Sequence, residues 1–452
     1  MIYNDSKYNQ DWEIKTLNQL GDFRRGKSKH RPRNDKRLFN NGNYPLVQTG
    51  EITSANLFIR NHSAMYNEFG LKQSKLWDKN TLCITIAANI AETALLGYPM
   101  CFPDSIVGFN AYPEDSSEMF MHYVFTYIKK SIQNSASGSI QDNINVDYLT
   151  SLNFRIPKKK YQDKVVRILS ALDKKIETNN NINSELEALA KTLYEYWFVQ
   201  FDFPDADGKP YKTSGGKMHW NERLKREIPE EWQNLTLGEV VASTGTGLNP
   251  RDNFVLGEGN NFYVTIKNIE QGRVILDNKC DKISDQSLEI INKRSDLRIG
   301  DILFTSIEPV GITYLILEKP KNWNINESVF TIRPDYEKVT SEFLFMFLSG
   351  DYIKSYTKNV SAGSIHKGIR HSLLKDCQFI LPERNTVDEF TLKVQPILKK
   401  LDLIQKENQK LIELRDWLLP MLMTGQVKVI DEKETELSMA AEPAATYKKS
   451  RT

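Results

Sequence analysis

A phosphate-loop pattern near the N-terminus is the first stretch whose residue types and spacing suggest chemistry. Gly21-Asp-Phe-Arg-Arg-Gly26-Lys27-Ser28 satisfies GxxxxGK[ST], a pattern that can cradle nucleotide phosphates. Its mechanism requires a buried apolar strand before the loop and a helix directly after it. Here the preceding WEIKTLNQL is too polar for a central parallel strand, and the following KHRPRNDKR carries Pro32 and many charges. The context therefore argues against nucleotide binding.

A dense basic segment overlaps this pattern. Residues 24–37, RRGKSKHRPRNDKR, contain eight Lys or Arg residues and one acid, Asp35, although the whole chain has a formal net charge of only +2. Such a segment attracts anions, and a nucleic-acid phosphate backbone is the natural partner. A solvated charged loop is the alternative, which holds for most basic runs. The candidate DNA-binding residues of this segment are Arg24, Arg25, Lys27, Lys29, Arg31, Arg33, Lys36 and Arg37.

Further candidates for DNA contact are scattered along the chain. STGTGLNPRDNF at 243–254 is poorer in charge but rich in Gly and Asn. Arg, Lys, Asn and Gln side chains can form paired hydrogen bonds with base edges. The residues predicted on this ground are Gln48, Asn89, Gln141, Arg251, Lys267, Asn268, Lys293, Arg294, Lys367 and Arg370.

Recognisable catalytic and metal-binding constellations are missing from the sequence. The six histidines form no HExxH or other metal-spaced pair, and neither a GxSxG elbow nor the Asp/Asn-Pro-Pro-aromatic tetrad of amino-methyltransferases occurs. Spacing points to no pair of catalytic carboxylates, although it does not exclude one. The four cysteines lie far apart, which fits a reducing cytosol. The polar N-terminus is unlike a signal peptide, and no segment looks able to span a membrane, so we expect a cytoplasmic protein without a metal.

Two stretches with heptad periodicity must form the elements that position the candidate DNA-binding residues. One runs from Val165 to Leu193 and the other from Val394 to Leu422, each with apolar residues at alternating spacings of three and four. This rhythm predicts two long helices packed along a seam, although ordinary amphipathic core helices would show similar periodicity. Asn179 and Asn408 occupy the same heptad position, and the interval between them equals that between Asp173 and Asp402. A polar seam residue fixes register, so we predict this role for the two asparagines. The predicted seam of the first helix is Val165, Ile168, Leu172, Lys175 or Ile176, Asn179, Ile182, Leu186, Leu189 and Leu193.

Everything before each helix also repeats. Trp12, Thr16 and Leu17 recur with the same spacing from Trp232, and the Gly-Ser-Ile at 138–140 recurs at 363–365. IGDILFTSIEPVGITYL at 299–315 stands where DKNTLCITIAANIAETALL stood at 78–96. The chain is therefore a tandem duplication of a unit of about 220 residues. The order of features is the same in the two units, but most residues between the matching positions differ. This is expected for two domains that read different targets, and equally for two structural copies that have diverged.

The predicted architecture is an α+β fold, because short β-prone runs alternate with helical patches and polar turns before each long helix. Gly and Pro mark a loop-rich connector after the first helix, and the C-terminal stretch has no apolar periodicity, so we expect it to be disordered. The expected segments are domain 1 (1–158), the central long helix (159–200), the linker (201–230), domain 2 (231–385), the C-terminal long helix (386–425) and the tail (426–452).

The ordered set of features resembles the specificity subunit of type I restriction–modification systems over about residues 12 to 425. The resemblance rests on the twin entries WEIKTLNQLGD and WQNLTLGEV, on TGTGLNPRDNF, on the Gly-Ser-Ile turns, and on the Phe-x-x-Pro exits ending at 157 and 382. EALAKTLYEYWFVQFDFP and LLPMLMTGQVKV follow the two helices. Family members often carry Glu-Gln soon after the exit proline, where this chain has KKKYQDKV and ERNTVDEF. That departure affects only the start of each helix.

The resemblance implies a non-catalytic reader of double-stranded DNA. Each mixed domain would be a target-recognition domain for one half of a bipartite, asymmetric sequence, and the long helices would pair as an antiparallel coiled coil that sets the spacing. The helix pair and the aromatic cluster at 194–198 would bind two modification (methyltransferase) subunits, and restriction (motor–nuclease) subunits would complete the complex. S-adenosylmethionine, Mg²⁺ and ATP would be bound by those partners, with no cofactor in this chain.

Two other functions compete with this interpretation. A coiled-coil scaffold whose globular ends bind proteins would not need the basic segment at 24–37. Salt-dependent DNA binding would distinguish the two. A nucleotide-binding enzyme rests on the GKS pattern alone, and absence of ATP binding would exclude it.

Overall fold

The protein divides into two compact units in this computed structural model. The first unit comprises Met1–Thr178 and Gln409–Thr452, and the second comprises Asn179–Asn408. Each unit therefore contains one half of each long helix. The Gly-Ser-Ile turns and most of the predicted tail lie outside the described residues, as do the candidates Gln141 and Lys367. The structure describes residues 2–87, 89–137, 146–270, 272–361 and 368–429.

The first unit is a mixed domain of short strands and helices. Its strands are β1 (Glu13–Thr16), β2 (Gly21–Arg25), β3 (Tyr44–Leu46), β4 (Phe58–Ile59), β5 (Ala64–Tyr66), β6 (Leu76–Trp77), β7 (Leu82–Thr85), β8 (Thr93–Leu96), β9 (Met100–Cys101), β10 (Ile106–Ala111) and β11 (Asn153–Ile156). Its helices are α1 (Leu17–Leu20), α2 (Thr49–Ser54), α3 (Glu68–Lys72), α4 (Glu118–Ser137), α5 (Val146–Ser151) and the first half of α6 (Lys159–Tyr194).

A five-stranded sheet forms the centre of the first unit, in the order β2-β10-β7-β8-β4. Its strands pair antiparallel except for β4, which runs parallel to β8. Leu82 and Ile84 face one apolar cluster with α4, whereas Cys83 faces another with Trp77 and Phe102. Both faces of the sheet are thus covered, which explains why β7 and β8 are buried along their whole length. A second sheet has the order β5-β3-β9-β6.

The second unit repeats this plan. Its main sheet has the order β15-β23-β20-β21, and a smaller sheet has the order β19-β16-β22. The strands are β12 (Met218–Asn221), β13 (Arg226–Pro229), β14 (Gln233–Thr236), β15 (Val241–Thr246), β16 (Asn261–Val264), β17 (Ile269–Glu270), β18 (Arg273–Val274), β19 (Asp281–Ile283), β20 (Ile302–Thr305), β21 (Thr313–Leu315), β22 (Trp323–Ile325), β23 (Val329–Pro334) and β24 (Gln378–Leu381). The helices are α7 (Asp285–Arg294), α8 (Ser341–Ser349), α9 (Asp351–Ser361) and α10 (His371–Lys375), together with the second half of α6 and the first half of α11 (Arg384–Met423).

Equivalent strand pairs open and close each mixed domain, which confirms the duplication. The entry strand β1 pairs antiparallel with the exit strand β11, and β14 pairs in the same way with β24. Both entry strands end in a threonine whose backbone amide donates to a side chain three residues on. Thr16 N donates to Gln19 Oε1 at 2.8 Å, and Thr236 N donates to Glu239 Oε2 at 2.7 Å. These capping boxes start the turn that follows each entry strand.

The two long helices pair antiparallel within each unit, as the resemblance implied. In the second unit Asn179 of α6 contacts Asn408 of α11, and further along Tyr194 packs against Phe390. In the first unit Asp173 contacts Arg415, and Tyr161 Oη donates to Val427 O just beyond the end of α11. Within each unit residue numbers rise on one helix as they fall on the other, so the helices are antiparallel. A π-helical stretch, Glu195–Val199, continues α6. No helix among the described residues combines the length and apolar character needed to cross a membrane.

The buried stripe of α6 departs from the predicted seam most clearly at Ile182 and Leu189. Ile182 and Leu189 were assigned to the seam but are 39% and 54% exposed, whereas Asn183 and Ala190 are buried. A seam whose steps alternate three and four residues coincides at every second position with a seam whose steps alternate four and three residues. The two seams therefore differ only at the positions in between. Because Asn183 is polar, the periodicity favoured its apolar neighbour. The structure follows the other phase, which leaves Ile182 and Leu189 on the outside of the helix.

Candidate nucleic-acid interface

One edge of the main sheet in the first unit brings together loops that are far apart in the sequence. At this edge β2 and β7 end, while β10 and β8 begin. The register shows the alignment, since Val107 pairs with Arg25, Ile106 with Thr85 and Ile84 with Thr93. The loops that leave this edge span residues 26–37, 86–92 and 102–105. Ile86 N donates to Ser105 O at 3.0 Å and joins two of them.

The phosphate-loop pattern at 21–28 does not form a phosphate loop. Gly21–Arg25 is strand β2, so its backbone amides belong to the sheet and not to a phosphate cradle. Gly26 N donates to Ile106 O at 2.8 Å, and Lys27 N donates to Phe102 O at 3.2 Å. A Cβ added to Gly26 would lie 2.3 Å from the carbonyl oxygen of Pro103, so close packing explains this glycine. No helix begins directly after Ser28, and the nucleotide-binding alternative therefore loses its structural basis.

Ion pairs within the unit neutralise several arginines of the basic segment. Arg33 Nη2 lies 2.7 Å from Asp104, Arg37 Nη2 lies 2.7 Å from Asp35, and Arg24 pairs with neighbouring Asp22. Hydrogen bonds from the Arg37 side chain and backbone, and one from His30, hold the pKa of the Asp35 carboxyl well below its usual range. These contacts give the loop a defined conformation. They also leave its net positive charge smaller than the sequence suggests.

Three lysines of the segment carry much of its remaining positive charge. Lys27, Lys29 and Lys36 are exposed, and none has an acidic partner among the residues that the structure describes. We call them the loop lysines. Arg25 lies beside them in the chain, and its Nε donates to the carbonyl oxygen of Asp104 at 3.0 Å without losing its charge to an acid. The loop lysines can therefore bind phosphates without first breaking an ion pair.

The same edge in the second unit carries a corresponding set of loops. Here β15 and β20 end while β23 and β21 begin, with Thr305 paired to Val329 and Thr246 to Phe330. The loops span residues 247–254, 306–312 and 326–328. Gly247 N donates to Asn326 O at 3.2 Å, and a Cβ added to Gly247 would lie 1.8 Å from the carbonyl oxygen of Ile325. Only glycine fits there, as at Gly26 in the first unit.

Two cationic candidates lie in segments that belong to this second edge. Arg251 is exposed in the loop after β15. Ile369 N donates to Ser306 O at 2.8 Å, which holds segment 368–370 against the edge and places the exposed Arg370 next to it. Because the chain separation between these residues is large, no local sequence pattern indicates that they share one edge.

The remaining candidates have different environments. Gln48 is the exposed N-cap of α2, and Asn89, which lies in the edge loop 86–92, donates from Nδ2 to Thr53 Oγ1 of that helix at 3.0 Å. Lys267 is exposed. Asn268, in contrast, is buried, and its Oδ1 accepts hydrogen bonds from Thr265. It caps a turn instead of facing solvent, which corrects its prediction as a base reader. The exposed Lys293 and Arg294 lie in the last turn of α7, outside the edge loops.

A buried threonine at the end of each central strand is the feature that the sequence interpretation missed. The hydroxyl of Thr85 accepts from Glu92 N at 3.0 Å and donates to the carbonyl oxygen of Asn89. The hydroxyl of Thr305 accepts from Ile312 N at 2.9 Å and donates to Pro309 O at 2.5 Å. The interval between the two threonines equals that between Trp12 and Trp232, and this repeat could have revealed them.

The predicted register residues contact each other directly. Asn179 Nδ2 donates to Asn408 Oδ1 and to Glu407 Oε2, each at 2.8 Å, and Asn408 Nδ2 donates to Asn180 Oδ1 at 2.8 Å. Asn179 and Asn408 are almost fully buried. Mutual hydrogen bonding satisfies both amides, and a shift of one helix by a turn would break it. Their role in setting register remains a prediction.

Neither a metal centre nor a reactive thiol emerges from the geometry. Among the described residues, no group of three or more His, Cys, Asp or Glu side chains is arranged to hold a metal ion. All four cysteines are free and buried. Burial raises the pKa of Cys101 and of Cys280 to about 11, so these thiols stay protonated at neutral pH and are poor nucleophiles.

We compared the sequence and the fold with those of known proteins. The sequence matches the family described as "Type I restriction modification DNA specificity domain" over residues 9–188 and 229–415. It is 22% identical over 436 residues to the type I restriction enzyme MjaIX specificity subunit of Methanocaldococcus jannaschii, covering 94% of this chain and 95% of that protein. It is 26% identical over 347 residues to the HindI specificity subunit of Haemophilus influenzae, covering 66% and 74%. The crystal structure of a type I S subunit from M. genitalium has a similar fold, with a TM-score of 0.59 at 17% identity, covering 95% of this chain and 100% of that one.

Proposed function

The chain belongs to the type I restriction–modification DNA specificity family, and we propose that each of its two sheet edges reads one half of a bipartite, asymmetric DNA target. As a specificity subunit it is non-catalytic. The observation that carries the proposal is the pair of equivalent edges, built on matching backbone contacts at Gly26 and Gly247 but presenting different exposed side chains. Two edges with the same backbone arrangement but different exposed side chains suit two different half-sites.

Charge supports contact with the DNA backbone at the first edge. The loop lysines are exposed and unpaired with acids among the described residues, and Arg25 keeps its charge. Each cation that neutralises a phosphate releases counterions and makes binding depend on salt. The second edge offers Arg251 and Arg370 in the same capacity. The backbone contacts would position each unit, and other edge residues would supply the sequence reading.

The long helices are proposed to set the gap between the half-sites. A helix of 36 residues such as α6 is about 54 Å long at about 1.5 Å per residue. That length exceeds the ~34–36 Å of one turn of DNA. The asparagine contact between Asn179 and Asn408 would keep one register of the pair and therefore one gap.

Exposed apolar residues on the helices are proposed to bind two modification subunits. On the part of α11 in the second unit, the exposed Leu392 and Leu403 are eleven residues apart, which is close to three helical turns and places them on one stripe. Ile182 and Leu189 are exposed on α6. Apolar stripes of this kind mark protein-binding surfaces. The modification subunits would bring S-adenosylmethionine, and restriction subunits would bring ATP and Mg²⁺.

Domain exchange tests the proposal. The protein is co-expressed with a type I modification subunit with which it forms a complex, and methylated adenines are mapped before and after residues 12–157 are replaced by the first domain of a relative. We expect one half of the methylated motif to change, with the other half and the gap retained. Replacement that changes both halves, or neither, would contradict the assignment of one half-site to each unit.

A further inference from the structure

The loop between β20 and β21 is held from inside by one fully buried residue. Thr305 Oγ1 binds both Ile312 N and Pro309 O, and the backbone of Thr305 binds both Ile312 and Gly311. Thr305 N donates to Ile312 O at 2.9 Å, and Gly311 N donates to Thr305 O at 2.9 Å. Gly311 has a φ of +89°, which glycine adopts without strain. These four hydrogen bonds close residues 306–312 into a defined loop.

A second contact fixes the same loop from outside. Ile307 forms an antiparallel bridge with Gly368, and Ile369 N donates to Ser306 O at 2.8 Å. The backbone is therefore supported on two sides. The side chains of Ile307, Glu308 and Pro309 nevertheless remain exposed at the tip. A fixed backbone with exposed side chains lowers the ordering cost of binding, because the contacting groups are already in place.

The first unit contains the same pattern of hydrogen bonds around a loop of different sequence. Thr85 makes the corresponding contacts with Glu92 and with the carbonyl oxygen of Asn89, and Ala91 N donates to Thr85 O at 2.9 Å. Ala91 has a φ of +61°, although it is not glycine, so the turn has the same backbone form as at Gly311. The duplication has thus retained the hydrogen bonds around the threonine, while the residues that follow it in the loop differ.

The chemistry of the second tip suits a base edge and not a phosphate. The Glu308 carboxylate accepts hydrogen bonds and is repelled by phosphate oxygens. In the major groove the available donors are the exocyclic amino groups of cytosine and adenine, and glutamate characteristically accepts from cytosine N4. Ile307 beside it can contact the methyl group of thymine. Arg251 and Arg370 in segments of the same edge supply the positive charge that phosphates require.

We propose that loop 306–312 is the base-reading element of the second unit, with Glu308 accepting a hydrogen bond from the amino group of a base in the major groove and Thr305 acting as its positioning residue. This proposal rests on the proposed function, because it identifies the reader within the second edge. It goes further because it assigns base reading to the loop and contact with the DNA phosphate backbone to the arginines.

Variants at Glu308 test the reading role. The complex of the whole chain with its modification subunit is prepared with Glu308→Gln, Glu308→Ala or the control Glu337→Gln, which alters an exposed glutamate beyond the opposite end of β23. Binding is measured to duplexes that carry each single-base change in both half-sites. We expect discrimination at one position of the second half-site to fall by about 5- to 150-fold in Glu308→Ala, the range of one good base contact. Glu308→Gln should shift the preference at that position towards adenine, and Glu337→Gln should change nothing.

Variants at Thr305 test the positioning role. Thr305→Val keeps the shape of the side chain but removes both hydroxyl hydrogen bonds, whereas Thr305→Ser keeps the hydroxyl. We expect Thr305→Val to weaken discrimination at several bases of the second half-site while the first half-site is read normally. Thr305→Ser should restore most of the discrimination. A merely structural role would instead lower the affinity for all duplexes equally.

The outcomes separate the loop from the proposed function. If the unaltered complex recognises a split motif and all Glu308 variants keep its base preferences, then the loop does not read bases and the proposal is overturned. If the unaltered complex recognises no split motif, the proposed function itself fails. Because binding is measured directly, a variant that no longer supports methylation still reports on base preference.

Discussion

Asp173 and Asp402 occupy the same heptad position in the duplicated helices but have different partners, which allows a matched test of the helix pairing. Asp173 is 5% exposed, accepts from Tyr123 Oη at 2.6 Å, and pairs with Arg415 on the other helix at 3.0 Å. Asp402 pairs with Lys406 of its own helix at 2.7 Å. The two carboxylates should therefore contribute very differently to the stability of their units.

The structure sets the expected magnitude for Asp173→Asn. Two unit charges about 4 Å apart interact by about 4 kcal/mol at an effective dielectric constant of about 20. Breaking a buried ion pair costs about 3–5 kcal/mol. Because the Arg415 side chain is 28% exposed and also pairs with Asp416, we expect a loss of about 2–3 kcal/mol. For Asp402→Asn we expect less than about 1 kcal/mol, since Lys406 is 43% exposed, keeps Glu318 as a second partner, and forms the Asp402 pair within one helix.

Amide hydrogen exchange is the appropriate assay, because a chain with two units need not unfold in one step. We expect Asp173→Asn to accelerate exchange in the slowly exchanging amides of residues 159–178 by about 30- to 150-fold, the equivalent of about 2–3 kcal/mol. Asp402→Asn should leave the slowly exchanging amides of residues 384–408, which belong to its own helix in the second unit, nearly unchanged. Adding Arg415→Leu should recover part of the loss, because it removes the unpaired cation. Equal effects of the two asparagine variants would refute the reasoning.

Three further predictions follow from the same geometry. Replacing the loop lysines by alanine should lower the slope of log K against log salt by about 2–3 for DNA binding, whereas replacing Lys209, Lys212 and Lys217 of the connector should leave it unchanged. Asn408→Leu should destabilise the helix pair by about 1–3 kcal/mol, because Asn179 loses its partner, and adding Asn179→Leu should recover that loss in urea unfolding. Burial, and then nearby Arg415, lowers the pKa of His122 to about 4. As pH falls from 6.5 to 4 only the unfolded chain gains this proton, so stability should fall by up to about 3 kcal/mol, and His122→Gln should remove that part of the pH dependence.

The sequence predicts the elements of this fold better than their contacts. Heptad spacing identifies both helices, and the repeats at Trp12 and Trp232 identify the duplication. Periodicity could not tell Asp173 from Asp402, because their environments depend on the residue across the pair. Antiparallel packing brings Arg415 to Asp173, but the residue related to Arg415 by the duplication is Leu186, which offers no charge to Asp402.

The candidate interface was predicted only in part, for the same physical reason. Charge density identified the basic segment, yet Asp104 neutralises Arg33 from 71 residues away, and no local pattern indicates such a pairing. Residue type alone suggested Asn268, but its amide caps a turn. Thr305 was overlooked because a hydroxyl inside an apolar strand resembles any buried threonine until the loop that it closes is known.

Mapping methylated adenines across the genome of a host that expresses this chain with its modification subunit tests the central claim most directly. We expect a split motif, with two different short half-sites separated by a fixed gap. Methylation at a continuous palindrome, or no methylation despite a stable and active complex, would contradict the claim that the two sheet edges read separate halves of one target.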